Sequence, residues 1–202
     1  GTNYPRQAAK PDAEVQADGG GAGDIEDSSG LALFSEPQGT HASRDAGIGV
    51  RQMRISQIEL RNFRGIRHGR ITLPAHAVLL GANNSGKTTI VESLALLFGR
   101  ERMVRPVSDW DFYGGAPKPD SRFHIIATIT GFPSDDAKML PGWFVGEHAA
   151  RPVWWHDDTE AVSFESDPPD RARLAAQVAL TGRYDEETCE FELARYFYDG
   201  EC

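Results

Sequence analysis

The chain has 202 residues, of which 40% are hydrophobic and 25% are charged, and its formal net charge is −9. These values are typical of an ordinary globular protein, and no apolar run approaches the roughly 18 residues of a membrane-spanning helix. The negative net charge excludes a uniformly basic coat for nucleic acid. The two cysteines, Cys189 and Cys202, have no metal-binding or disulfide spacing, so the composition predicts a cytoplasmic protein without a membrane partner.

Residues 1–52 differ in composition from the rest of the chain. They are acidic and rich in Gly, Ala and Ser, with few large apolar residues and no sustained period. Such a segment cannot bury enough surface to offset the entropy of ordering. We interpret residues 1–52 as a disordered Gly/Ala-rich tail, or alternatively as an extension upstream of a true start at Met53.

The stretch that follows, up to Leu73, alternates apolar and polar residues. It predicts two antiparallel strands with a turn at Gly69, leading into a third strand. One acid, Glu59, accompanies six arginines: Arg51, Arg54, Arg61, Arg64, Arg67 and Arg70. These arginines form either a solvated strand face or a basic patch for phosphate groups, and the charge pattern alone favours the solvated face.

A short apolar strand over residues 76–80 then leads into GANNSGKTT at residues 81–89. The fixed positions of the spacing G-x-x-x-x-G-K-[ST] are Gly81, Gly86, Lys87 and Thr88. Glycines let successive backbone N–H groups converge on one point, a lysine reaches the β- and γ-phosphates, and a hydroxyl ligates the accompanying Mg²⁺. The alternative is a glycine-rich turn that matches the spacing by chance.

The residues after this loop have the spacing of a half-buried helix that ends near Gly99. The apolar stripe comprises Ile90, Leu94 and Leu97, with Val91 and Phe98 beside it. A phosphate-binding loop requires a buried strand before it and a helix after it, and the helix adds its unpaired N–H groups and its dipole. The context therefore favours nucleotide binding over a chance match.

The second half of the chain is predicted to be mostly antiparallel strand. The predicted elements are a long exposed connection over residues 100–121, a strand from Phe123 to Thr130, a short helix or irregular insertion over residues 133–152, a hairpin around Asp157 and Asp158, and two long strands joined by a turn at residues 184–187.

These residues resemble a known group of ATPases. The segment NFRGI, Asn62 to Ile66, followed about 20 residues later by NNSGKTT, is similar to the opening of the ABC-type heads of RecF, the SMC proteins and the OLD (overcoming lysogenisation defect) nucleases. The later DWDFYGG segment, residues 109–115, makes the OLD branch the most similar. The resemblance is strong over residues 53–99 and weak over residues 100–202.

The resemblance implies an α/β fold, the amino-terminal lobe of an ABC-type P-loop NTPase head with a mostly antiparallel β-sheet subdomain. It implies ATP and Mg²⁺ as cofactors, with Lys87 on the β- and γ-phosphates and Thr88 on Mg²⁺. The implied loop positions are Gly81, Asn83, Asn84, Ser85, Gly86, Lys87, Thr88 and Thr89. Asn62 and Arg64 are implied to lie near the nucleotide or to support the loop.

The segment that contains Asp109, Asp111 and Tyr113 corresponds to a mobile, nucleotide-sensing segment in this group, and a solvated loop is the alternative. Heads of this group also need an aspartate and a glutamate after an apolar strand. Asp199 and Glu201 follow a run that fits a hairpin strand better, so the catalytic residues are unknown. Residues 53–202 are thus predicted to be the amino-terminal part of an ATPase domain, ending before the Walker B and signature motifs.

The expected function is an ATP-binding head of a DNA-processing ATPase, in repair or phage defence, that dimerises on DNA when ATP is bound. Its partner is either a second copy or a second chain that completes the ATPase core. A nuclease module, if present, would lie beyond Cys202. The alternatives are a nucleotide-binding fragment without turnover and a transporter-type ABC ATPase, and the NFRGI segment argues against the transporter.

Overall fold

A computed structural model describes residues 31–34, 51–99 and 106–200 of the chain. The strands are β1 (Leu31–Phe34), β2 (Arg54–Phe63), β3 (Ile66–Thr72), β4 (Val78–Gly81), β5 (Arg122–Thr130), β6 (Val153–His156), β7 (Ala161–Ser163), β8 (Arg173–Asp185) and β9 (Glu190–Phe197). The helices are α1 (Lys87–Phe98) and α2 (Pro141–Phe144). Short 3-10 turns cover Asp109–Asp111, Tyr113–Gly115 and Ala137–Met139. Neither helix of these ranges has the length and apolar character that a bilayer crossing requires.

Seven strands form the main sheet, in the order β3-β2-β5-β8-β6-β7 with β9 also paired to β8. Every neighbouring pair in this sheet is antiparallel. The predicted antiparallel sheet is therefore confirmed, including the strand β5 and the hairpins β6–β7 and β8–β9. The α/β core expected of a complete P-loop NTPase stays a prediction.

One face of the main sheet packs against α1. Successive side chains of a strand point to opposite faces of the sheet, which places Ile58, Ile125 and Leu180 on the same side. Helix α1 buries Ile90 and Leu97 against them, as its spacing predicts. Each such side chain contributes about 1.5–3 kcal/mol when it leaves water. The helix stripe differs in detail from the predicted one, because Leu96 is buried while Val91 and Phe98 are exposed.

The turn between β2 and β3 lies at Arg64 and Gly65, so the prediction of a turn at Gly69 is wrong. Gly69 instead lies within β3, opposite Leu60. The tight connection places Asn62 and Arg64 at φ values of 52° and 54°. Asparagine tolerates this left-handed region better than most residues, whereas arginine enters it at a cost.

Strand β4, which precedes the phosphate loop, is exposed rather than buried. Val78 and Leu80 are 58% and 49% exposed, so the predicted burial of this strand is wrong. Among the described residues β4 pairs with β1 in a separate two-stranded antiparallel sheet and does not join β2 and β3. Strand β1 falls within the segment predicted to be disordered, most of which lies outside the described residues. The division at residue 52 stays a prediction.

The connection after α1 is also less exposed than predicted. Its residues 100–105 lie outside the described part, but Asp111 and Phe112 are 0% and 1% exposed. Phe112 forms an isolated antiparallel bridge with Phe63, and its ring packs edge-on against Phe123 at 5.2 Å between centroids. The connection therefore follows the core near the β2–β3 turn before it enters β5.

Candidate nucleotide-binding site

The loop between β4 and α1 is shaped by two left-handed residues. Gly86, which immediately precedes the helix, has φ 89° and ψ 0°, and Asn84 has φ 66°. Glycine adopts this conformation without the steric cost that a Cβ atom imposes. The backbone N–H of Ser85 donates to the carbonyl of Ala82 at 3.3 Å, which closes the turn.

The ammonium group of Lys87 lies over this loop. Its Nζ donates to the carbonyl oxygens of Gly81 at 2.7 Å and Ala82 at 2.6 Å, and it lies 3.4 Å from the hydroxyl of Ser85. These contacts hold a full positive charge at the beginning of helix α1. Because two of the acceptors are neutral carbonyls, a phosphate group would be a stronger partner for the same ammonium.

The first turn of α1 is free to receive an anion. No side chain caps the helix at Gly86, and the first turn contains no acidic residue. The first backbone hydrogen bond of the helix is the one from Ile90 to the carbonyl of Gly86, at 3.0 Å. The earlier N–H groups have no partner within the helix, and together with the helix dipole they favour a negative charge. The charge of Lys87 and the backbone N–H groups of the first turn both suit phosphate at this position.

The fit to Mg²⁺ rests on one side chain. Thr88 is exposed at the beginning of α1, where its hydroxyl is available as a ligand. No group of three or more His, Cys, Asp or Glu side chains that could hold a metal ion occurs in the described part of the chain. Thr88 would hold Mg²⁺ together with phosphate oxygens and water, as Mg²⁺ in nucleotide sites usually retains waters. Asn83, exposed, and Thr89, half-buried, complete the predicted loop positions.

The two site residues predicted upstream of the loop behave differently. Asn62 is exposed at the end of β2. Arg64 is fully engaged: its Nη2 donates to the carboxylate of Glu92 on α1, and its Nε donates to Asp111 at 3.1 Å. Its backbone N–H donates to the carbonyl of Asp111 at 3.0 Å. This arrangement suits the supporting role expected of Arg64, because the guanidinium braces the helix that follows the loop.

The burial of Asp111 contradicts the solvated loop, one of the two predictions for its segment, while the nucleotide-sensing segment stays a prediction. A solvated loop was the alternative to a nucleotide-sensing segment, yet the Asp111 carboxylate is completely buried. It accepts a hydrogen bond from the backbone N–H of Ser108 at 3.1 Å, which completes a capping box around the 3-10 turn. The spacing Ser108-x-x-Asp111 was the available signal. Asp109 and Tyr113, in contrast, are exposed.

The six arginines are mostly paired, so a purely solvated face is not what the structure shows. Glu59, only 6% exposed, accepts hydrogen bonds from Arg61 at 2.6 Å and Arg70 at 2.9 Å and lies 3.2 Å from His68. Arg51 pairs with Asp135 at 2.5 Å. Burial raises the pKa of Glu59, but the two guanidinium groups outweigh burial and hold that pKa below its ordinary value.

The candidate hydrolytic carboxylates remain unassigned. Asp199 follows β9, which is the hairpin partner of β8 as predicted, and Glu201 lies outside the described residues. Asp157 is committed to the β6–β7 turn, where it accepts hydrogen bonds from the indole of Trp155 at 2.9 Å and from Arg173. The catalytic residues are thus unknown from the structure as they are from the sequence.

Comparison with known proteins adds one finding. No curated protein matches the chain. Residues 53–138 match the family model of an AAA ATPase domain. This range contains strands β2 to β5, the loop, helix α1 and the Ser108–Asp111 turn. The match supports an ATP-binding ATPase of the broad AAA/ABC-like group over residues 53–138.

Proposed function

We propose that the chain is the ATP-binding head of a DNA-processing ATPase, similar to the RecF and OLD proteins, that pairs in the ATP-bound state. The observation that carries the nucleotide site is the position of Lys87. Its ammonium lies 2.6–2.7 Å from two loop carbonyls at the uncapped beginning of α1. A charged group held only by neutral acceptors is ready to exchange them for phosphate oxygens.

Different groups of the loop and of α1 would contact different parts of Mg-ATP. Lys87 would exchange its bonds to Gly81 and Ala82 for charge-assisted bonds to the β- and γ-phosphates. The first-turn N–H groups of α1 would donate to the same phosphates, and the Thr88 hydroxyl would ligate Mg²⁺. Bound Mg²⁺ supplies charge neutralisation of the phosphates. Gly86 keeps the loop backbone close enough for these donors to converge.

The partnership part of the proposal is supported by apolar side chains that α1 and β4 leave uncovered. These are Val78 and Leu80 on β4 and Val91 and Phe98 on α1, each between 46% and 58% exposed. Exposed apolar side chains on the two elements that flank a functional loop favour a further protein segment as their cover. A second copy or a second chain that completes the ATPase core fits this need.

The DNA-processing part of the proposal rests on the resemblance carried by NFRGI and NNSGKTT. The alternative is a nucleotide-binding module without turnover, and its support is that no aspartate–glutamate pair after an apolar strand can be assigned in the described ranges 51–99 and 106–200. The two functions share the nucleotide site and differ in hydrolysis. Repair, phage defence and nuclease activity are narrower versions of the first.

The experiment that tests the proposal measures Mg-ATP binding and ATP turnover by the chain alone, with and without a DNA duplex. Binding that depends on Lys87, with turnover stimulated by DNA, is the expected result for a DNA-processing ATPase. Binding without turnover under both conditions would leave the nucleotide-binding module as the function. No binding of Mg-ATP would overturn both.

A further inference from the structure

Two arginines face each other across the main sheet. Arg122 of β5 and Arg183 of β8 are directly opposed in the strand register. Directly opposed residues of antiparallel strands project from the same face, so the two side chains are neighbours. They lie on the face opposite α1, because the next pair along, Phe123 and Gly182, packs into the core on the α1 side. Like charges in this position destabilise a sheet. On its other side Arg183 faces Glu192 of β9, so the described strands offer an acidic neighbour to Arg183 but none to Arg122.

The two arginines line an open groove of about 550 Å³. The remaining lining residues are Thr181, Glu192, Leu193 and Ala194. The hydroxyl of Thr181 lies 3.0 Å from His124 Nδ1 and 2.9 Å from the hydroxyl of Tyr196. Thr181 is thereby held within the sheet, and the arginines are the donors that the groove offers to a ligand.

Neither arginine is neutralised within a strong ion pair. Arg183 reaches Asp120 at 3.4 Å, and that partner is 75% exposed, so the contact is weak. Arg122 is exposed and has no ion pair among residues 51–99 and 106–200. Glu192, opposite Arg183 on β9, is the acidic residue of the groove.

Most charges near the pair are already compensated or neutral. His124 lies two residues from Arg122 on the same face, and its pKa is lowered first by burial and then by the charges of Arg61 and Arg122. The nearby carboxylate of Glu59 is already compensated by Arg61 and Arg70. The neighbouring carboxylate is thus already paired, and the two guanidinium groups remain available to an anion. Arginine binds phosphate in a bidentate manner, so a phosphate group is a complementary ligand.

We propose that Arg122 and Arg183 bind a backbone phosphate of nucleic acid in this groove, on the sheet face opposite α1 and separate from the nucleotide loop. The inference rests on the proposed DNA-processing function, and it assigns the contact with DNA to a particular surface of the protein. The geometry explains the otherwise unfavourable arginine pair, because a bound phosphate converts mutual repulsion into shared attraction. Contacts of this kind position a duplex without reading its sequence.

The test is the salt dependence of duplex binding, measured by fluorescence anisotropy with a labelled DNA duplex and the full chain. Arg122→Ala/Arg183→Ala should weaken binding by about tenfold at low salt. It should also reduce the slope of log affinity against log salt by about one, because the contact to one shared phosphate is lost. Arg122→Lys/Arg183→Lys should retain most of the slope, since the charges remain.

Matched variants show whether weaker DNA binding comes from the groove arginines or from the lower positive charge of the whole protein. Arg151→Ala/Arg171→Ala removes two exposed arginines that do not line the groove, and it should leave the slope close to that of the wild type. Glu192→Gln should tighten duplex binding, because it removes the acidic residue of the groove. The melting temperature of Arg122→Ala/Arg183→Ala should change little, because the removed repulsion offsets the exposed contact of Arg183 with Asp120 and its position opposite Glu192.

The outcomes distinguish this inference from the proposed function. If the wild type binds the duplex and Arg122→Ala/Arg183→Ala shows the same salt slope, the phosphate-binding role of the groove is refuted. The proposed DNA-processing function would not be affected by that result. If the wild-type chain binds a fluorescent ATP analogue but no duplex at low salt, the DNA part of the function fails and the groove fails with it. ATP-analogue affinity should be equal in the wild type and the arginine variants, because the nucleotide loop is separate.

Discussion

The Nε of Arg64 donates a 3.1 Å hydrogen bond to Oδ1 of Asp111, a completely buried carboxylate 47 positions away in the sequence. The same guanidinium reaches Glu92 of α1 through Nη2. Arg64 thereby connects three elements: the β2–β3 turn, the helix that follows the phosphate loop, and the connection that leads to β5. Arg64 therefore supports the position of α1, and with it the beginning of the phosphate site, in addition to the core contacts of the helix.

Replacement of Arg64 should therefore destabilise the protein strongly. Arg64→Ala removes the hydrogen bond from Nε to the buried carboxylate of Asp111 and the pairing with Glu92, and we expect the free energy of unfolding to fall by about 2–3 kcal/mol. Urea denaturation measures the change. Arg67→Ala is the matched control, because Arg67 is exposed and has no ion pair within the described ranges, and it should cost no more than about 0.5 kcal/mol. Equal effects of the two variants would contradict the bracing role of Arg64.

Local signals in the sequence were sufficient for the loop and the helix. Glycine at position 86, lysine at position 87 and the apolar spacing from Ile90 to Leu97 each act within a few residues, so they predict the local structure without knowledge of the tertiary contacts. The predicted end of the helix is confirmed, since the N–H of Gly99 donates to the carbonyl of Ala95 at 2.8 Å. The two-residue sequence pattern that predicted strands β5 and β8 is likewise a local signal.

Burial that depends on contacts between residues distant in the sequence could not be predicted in the same way. The apolar run of β4 indicated a buried strand, but burial depends on which elements cover it, and Val78 and Leu80 are exposed in the structure. Asp111 shows the opposite error, because a loop aspartate is buried once Arg64 and the N–H of Ser108 satisfy its oxygens. Both errors concern contacts between distant parts of the chain.

Lys87→Ala should abolish most of the affinity for Mg-ATP. Charge-assisted hydrogen bonds to phosphate are lost, and each is worth about 1.5–3 kcal/mol, which corresponds to a loss of at least about tenfold. Isothermal titration calorimetry with Mg-ATP measures the affinity. Lys118→Ala, at an exposed lysine in the connection before β5, is the control and should bind as the wild type does. Unchanged affinity of Lys87→Ala would refute the assignment of the loop.

Gly86→Ala tests the backbone of the loop. The added Cβ would meet only the Cδ1 of Ile66, at 3.9 Å, so the cost comes from the left-handed φ of 89° rather than from a clash. We expect a loss of about 1–2 kcal/mol in the free energy of unfolding, together with weaker Mg-ATP binding. Gly65→Ala is the control, since its Cβ would meet no atom within 4 Å and its backbone lies outside the left-handed region. If Gly86→Ala retained both stability and affinity, the loop would not need its left-handed residue.

The cluster around Glu59 makes part of the stability dependent on pH. Arg61 and Arg70 lower the pKa of Glu59 from its ordinary value of 4.5 in spite of the opposing effect of burial. A carboxyl whose pKa is lower in the folded than in the unfolded state contributes stability above the unfolded value, and this contribution is lost as the pH falls through the folded value. The contribution is therefore complete near neutrality and disappears below pH 4.5.

Glu59→Gln removes this ionisation while it keeps the size of the side chain. The difference in unfolding free energy between wild type and Glu59→Gln should be constant near neutral pH and should shrink as the pH falls below 4.5. Urea denaturation across this range measures it. Arg70→Ala in the wild-type background should reduce the same pH dependence, because one of the two cations that lower the pKa of Glu59 is removed. A wild-type minus Glu59→Gln difference that stays constant down to acidic pH would show that the guanidinium groups do not stabilise the ionised carboxylate.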